Sequence, residues 1–171
     1  CWVTWGWASP GWRCRRCSPA TAGPRPAAGR LRTAGRTCRR VTEAEALDYV
    51  LGYTIGNDVS ERSWQKSDRT LWRAKNTDTL NPMGPWIETE VDPHRLDIIT
   101  RLNGKEHDRG STSGMTWDCY ATVSGISQFI TLHPGDLLYT GTPKGVGPVQ
   151  PGDVIRVNSL PQFGELRMKV R

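Results

Sequence analysis

The chain of 171 residues lacks any apolar run of about 18 residues, so no helix in it is expected to span a bilayer. Its opening, C-W-V-T-W-G-W-A-S-P, lacks the basic and apolar regions of a secretory signal, which points to a soluble cytoplasmic protein. Histidine is scarce, and none precedes His94. Cys14-x-x-Cys17 therefore has no second ligand pair at the spacing of a zinc knuckle. Beyond residue 40 the only cysteine is Cys119, which excludes a disulfide framework. Residues 1–40 contain no lysine and no acidic residue, yet they hold nine arginines and four of the eight tryptophans.

Those nine arginines account for the overall charge of +6, because residues 41–171 hold 14 basic and 17 acidic side chains. A polyanion could meet only the first 40 residues, so nucleic acid is not an expected partner. That segment has no helix or strand periodicity, and its Arg, Ala, Gly, Pro and Trp usage resembles GC-rich codons read in an unintended frame. It is expected not to pack on the rest, being unable to offset ordering entropy of roughly 1–2 kcal/mol per residue. Residues 41–171 are then one domain, and no internal repeat is present.

Within that domain, Thr42 and Glu45 have capping-box spacing ahead of a short helix over about 43–49. A strand, V-L-G-Y-T-I-G, comes next. Residues 66–86 are polar and end N-P-M-G-P-W, which predicts an ordered loop. W-I-E-T-E-V reads as a strand, and L-D-I-I-T-R-L-N-G-K-E-H-D as a hairpin turning at Asn103-Gly104. Helical spacing runs from Thr116 to Ile130, with Thr112 or Ser113 available as caps. Two P-G-D turns each lead into an apolar run expected to be a strand. The fold class is mainly β (α+β) with one or two helices.

Three polar clusters interrupt these elements. Asn57-Asp58 with Gln65 comes after the first strand; it reads either as a turn in which Asp58 and Glu61 form a capping box, or as a ligand set at a strand end. Lys75-Asn-Thr-Asp78-Thr79 lies in the long loop. Thr140-Gly-Thr142-Pro-Lys-Gly-Val-Gly147 is rich in Gly and Thr, which lets main-chain N–H groups approach a carboxylate, and it lacks the spacing of a phosphate loop.

In this order the motifs resemble the fumarylacetoacetate hydrolase family. The stretches are G-Y-T-I-G-N-D-V-S-E-R-S-W-Q, K-N-T-D-T-L-N-P-M-G-P-W-I, L-N-G-K-E, G-S-T-S-G-M and I-S-Q-F-I-T-L-H-P-G-D-L-L-Y-T-G-T-P-K-G-V-G. The resemblance covers about Ala46 to Val170 and implies a mixed β-roll, a homodimer, and Mg²⁺ (or Ca²⁺ or Mn²⁺). It also implies an enzyme that hydrolyses, isomerises or decarboxylates small 2-oxo or β-diketo acids through a metal-bound enolate. By the same resemblance Asp58 is a metal ligand, Lys75 and Gln65 are catalytic, and Gly141 and Thr142 touch substrate.

Two departures from the pattern matter. The family's Glu-x-Glu ligand pair precedes the Asp, where this chain has C-R-R-V-T-E-A-E-A-L. Glu43 and Glu45 have the spacing but fall in a helix, where positions i and i+2 point apart. Glu88 and Glu90 would share a strand face but come after Asp58. The helix bearing a His and Glu for water activation is likewise unmatched. The chain as given is therefore expected to bind Mg²⁺ poorly and to turn over little, and a non-catalytic dimeric binding protein is the alternative.

Overall fold

The computed structural model describes residues 2–6, 36–142 and 146–171. Two antiparallel sheets make the scaffold. The first, in order β1-β2-β3, joins Trp2–Gly6 (β1), Tyr53–Asp58 (β2) and Met83–Glu88 (β3). The second, β5-β4-β6-β7, joins Lys105–Ser111, Asp97–Leu102, Val154–Ser159 and Gly164–Lys169. Short helices are Glu43–Ala46 (α1, continued by a 3-10 turn over Leu47–Tyr49), Arg62–Gln65 (α2) and Trp72–Lys75 (α3); Cys119–Ser127 (α4) is the long one. The α+β architecture is the expected one.

The core lies between the sheets and α4. Tyr53 and Ile55 from β2 meet Ile98 from β4, Ile155 and Val157 from β6 and Leu166 from β7, with Phe163, Cys119 and Val123 filling the remainder. Strand alternation puts one face of β4 inward, β2 is buried on both faces, and α4 contributes Cys119, Val123 and Ser127 at four-residue spacing. Gly164 sits at φ +65° under the ring of Trp86, and a Cβ there would lie 2.6 Å from Trp86 Cη2. That contact ties β3 to β7.

The hairpin forms as its Asn-Gly dipeptide predicts, with φ of 51° at Asn103 and 84° at Gly104. Asn103 also reaches into the neighbouring strand, giving its Nδ2–H to Asp153 and accepting from Val154 N at 2.9 Å. Helix α1 starts where Thr42 donates its N–H and hydroxyl to the Glu45 carboxylate, at 2.9 and 2.8 Å.

Four expectations are corrected. Residues 83–85 are not loop: Met83–Pro85 belong to β3, because an edge strand tolerates a proline without an N–H and the β2–β3 register shifts there. The same strand ends at Glu88, so Glu90 falls in a bend and shares no strand face with it. Helix α4 is shorter than 116–130 and is capped by Asp118, whose carboxylate accepts from Ala121 N at 2.7 Å, whereas Thr112 is buried and takes the Leu96 N–H. The first P-G-D leads into irregular chain at 137–142, since no described strand offers it a partner; the second enters β6 as expected.

Two described pieces of the first 40 residues lie against the rest of the chain, where none was expected to pack. Trp2–Gly6 pairs with β2 from Trp2↔Asp58 to Gly6↔Thr54, because main-chain pairing needs no side-chain periodicity. Cys38 is buried and bridges to Leu132 through two backbone hydrogen bonds of 2.8 and 2.9 Å. Cys14-x-x-Cys17 lies outside the described residues.

Candidate active site

Asp58 ends β2, and the chain beyond it is held by backbone contacts across the loop. Val59 N donates to Leu80 O, Asn57 N to Pro82 O and Glu61 N to Ala74 O, each at 3.0 Å. The long polar stretch is thus ordered against the strand end. Asp68 anchors it further, accepting from Thr70 and from Ala74 N, while Asn81 caps the Lys75 carbonyl at 2.9 Å. Ala74 is fully buried, so α3 can seat in only one orientation. Lys75, next in the helix, is aimed back at β2.

The outcome is an ion pair between Lys75 Nζ and Asp58 Oδ2 at 2.5 Å, with about four-fifths of each side chain shielded from solvent (23% and 19% exposed). The capping alternative for Asp58 is excluded, because Glu61 itself caps α2 and accepts from Ser63 N and Oγ at 3.0 and 2.7 Å. Those bonds lower the Glu61 carboxyl below its usual range.

Gln65 is placed differently. It is half-buried in α2, with its amide oxygen taken by Arg62 Nη1 at 2.6 Å. Gly141 and Thr142 line a cleft of about 670 Å³ between β5, the 111–117 turn, α4 and the 139–142 chain. The structure brings Asp58 and Lys75 together, while Gly141 and Thr142 share the cleft wall with Ser111, Met115 and Trp117.

Tyr139 connects the two places and was not singled out by its sequence. It lines the cleft, and its phenol is pushed up to about 12 by burial first and by the negative charge of Asp58 second. Among the described residues its hydroxyl and that of Thr140 are buried without a hydrogen-bond partner, as is that of Ser60, two residues past Asp58. Each such group costs about 1–3 kcal/mol, which marks this region as one that stability alone would not select. The sequence signal was slight: one aromatic hydroxyl in L-L-Y-T-G-T.

Among the described residues, no three His, Cys, Asp or Glu side chains gather to hold a metal ion. Asp58 gives one carboxylate, and that carboxylate is engaged by an ammonium. Glu45 is committed to Thr42. Hard divalent cations take six or more oxygens, so the described donors alone do not fit one.

Residues 33–171 match the family model for the fumarylacetoacetate (FAA) hydrolase C-terminal domain. A 4-hydroxyphenylacetate degradation bifunctional isomerase/decarboxylase of Salmonella dublin is 43% identical over 125 residues, covering 71% of this chain and 29% of that protein. The solved 2-hydroxyhepta-2,4-diene-1,7-dioate isomerase of Mycobacterium marinum superposes with a TM-score of 0.79 and 40% identity, over 99% of this chain and 57% of that one. Fumarylpyruvate hydrolase of Pseudomonas aeruginosa, solved in complex with Mn²⁺ and pyruvate, gives a TM-score of 0.76 and 25% identity over 99% and 64%. The chain spans about half the length of other curated relatives that it matches. No helix among the described residues is long and apolar enough to cross a membrane.

Proposed function

Because this chain belongs to the fumarylacetoacetate hydrolase family, we propose that it is part of an enzyme acting on small 2-oxo or β-diketo acids, by C–C hydrolysis, isomerisation or decarboxylation. The observation that carries the reading is the Asp58–Lys75 pair, a shielded ammonium held in place at a strand end. All three reactions build negative charge on a keto oxygen. A positioned cation lowers the energy of that enolate most where water is thin.

Lys75 supplies that charge in this reading, and Asp58 orients it. Gly141 and Thr142 receive the substrate in the cleft, with Gln65 as a further contact. A divalent ion accompanies the proposal on the strength of the neighbour that binds Mn²⁺ and pyruvate. Its donor set would have to close with groups beyond the described ones, so no step is derived through it. A cytoplasmic homodimer belongs to the same proposal, and sedimentation equilibrium tests the dimer.

The deciding experiment incubates the full chain with a panel of 2-oxo and β-diketo acids in excess Mn²⁺ and monitors products by NMR. Slow turnover of at least one acid is expected, with Lys75→Met lowering kcat by about a further 10²–10³-fold. Turnover that survives Lys75→Met undiminished refutes the role of the pair, and an inert wild type refutes the enzyme reading for this chain.

A further inference from the structure

Residues 41–171 are acidic as a whole, but their cations are unevenly spread. Residues 61–75 hold five of the 14 basic side chains (Arg62, Lys66, Arg69, Arg73 and Lys75) and two of the 17 acidic ones, which leaves nine basic against 15 acidic in the remainder. The positive charge is local. This stretch also folds as one unit against the end of β2: Glu61 N donates to Ala74 O at 3.0 Å, Asp68 N to Trp64 O at 3.1 Å and Leu71 N to Asp68 O at 3.1 Å. Its cations therefore share one rim beside the Asp58–Lys75 pair.

On the second sheet, Arg101 and Arg109 face Glu106, and Arg156 faces Glu165. The rim is different. Lys66, Arg69 and Arg73 are exposed, and among the described residues no carboxylate lies within 4.0 Å of them. Arg73 lies instead over the ring of Trp64, 4.7 Å from its centroid, a contact that leaves its charge intact. Set against Glu61, Asp68 and Asp58, the five cations leave the rim a net charge of +2 in a domain that is otherwise negative. Coulomb attraction falls only as the inverse of distance, so it depends on where charges cluster and little on the rotamer of any one side chain.

We propose that this rim is a capture surface for the acid substrate: its field concentrates small carboxylate anions over the Asp58–Lys75 end of β2, ahead of any contact with the groups that bind them. This rests on the reading of a small 2-oxo or β-diketo acid as the substrate. Lys66, Arg69 and Arg73 act by charge at a distance and take no part in the reaction.

Pyruvate serves as the probe, titrated into the full chain at a fixed Mg²⁺ concentration and read by saturation-transfer NMR, which needs no turnover. Raising the ionic strength from about 0.01 to about 0.15 M shortens the screening length from about 30 to about 8 Å and should weaken wild-type binding about fivefold. The triple variant Lys66→Gln/Arg69→Gln/Arg73→Gln should lose that salt dependence, and Lys66→Gln/Arg69→Gln, which leaves the Trp64 stack in place, should lose about half of it. A control, Lys105→Gln/Arg167→Gln/Lys169→Gln, removes the same charge from the second sheet and should keep the wild-type dependence. Wild-type binding that ignores salt, a triple rim variant that keeps the dependence, or equal losses in rim and control variants overturns the capture role alone. A wild type that binds no pyruvate, or binds it no better than Lys75→Met does, overturns the reading of the site and the capture role with it.

Discussion

Lys75 holds the one described carboxylate that a hard cation would seek at this site, so ammonium and metal compete for the same oxygen atoms. Calorimetric titration of the full chain with Mg²⁺, with and without oxalate, should show weak binding. Lys75→Met should strengthen it by roughly tenfold, about the free energy of one partly screened charge contact. Micromolar affinity in the wild type would mean that another carboxylate completes the site, and Glu45 would then have to release Thr42. At this scale the residues alone left Asp58 open between turn and ligand; the resemblance to the family singled out Asp58 and Lys75, which the structure places against each other. Tyr139 was not, because its role depends on burial beside Asp58, which no local pattern records. Capping box and ligand set stayed open at Asp58 and Glu61 for a similar reason, since the spacing suits both and the partner across the loop decides.

Helix α4 is the element that faces both core and cleft. Its N-terminus depends on the Asp118 carboxylate, so Asp118→Ala should cost about 1 kcal/mol of stability, measured by urea unfolding, and Asp118→Asn should recover most of it. Elements defined by their own chemistry were readable from sequence: the Asn-Gly hairpin closes itself, and α1 starts at its own capping pair. Elements defined by a partner were not. Strand β3 runs through Gly84 and Pro85 only because β2 lies alongside and β3 has a free edge, whereas Leu137–Thr140 has strand-like residues and no described neighbour to pair with. The apolar spacing of 116–130 overstated α4, as Trp117 and Ile130 stand 70% and 60% exposed outside it.

The whole molecule depends on a core that holds ionisable groups in their neutral forms. Burial raises Cys119 from its usual 9.0 to about 12 and Tyr139 to about 12, and raises Tyr53 as well. In the unfolded chain these groups lose their protons at lower pH than in the folded one, so the folded state binds more protons in between. Stability is therefore full below about pH 9 and falls as pH rises towards 12. Urea midpoints across that range should decline, and the decline should be shallower in Cys119→Ala and Tyr139→Phe than in the wild type. The joint between the sheets offers a second test. Gly164→Ala forces a left-handed residue and displaces Trp86, with an expected loss of about 1–2 kcal/mol in urea unfolding.

Strand β1 gives the site's own strand a second flank. Its five pairs, from Trp2↔Asp58 to Gly6↔Thr54, run antiparallel along β2, so the site strand has a rail of fixed length and direction on the side away from β3. The rail stops level with Asp58, the residue where pairing gives way to chemistry.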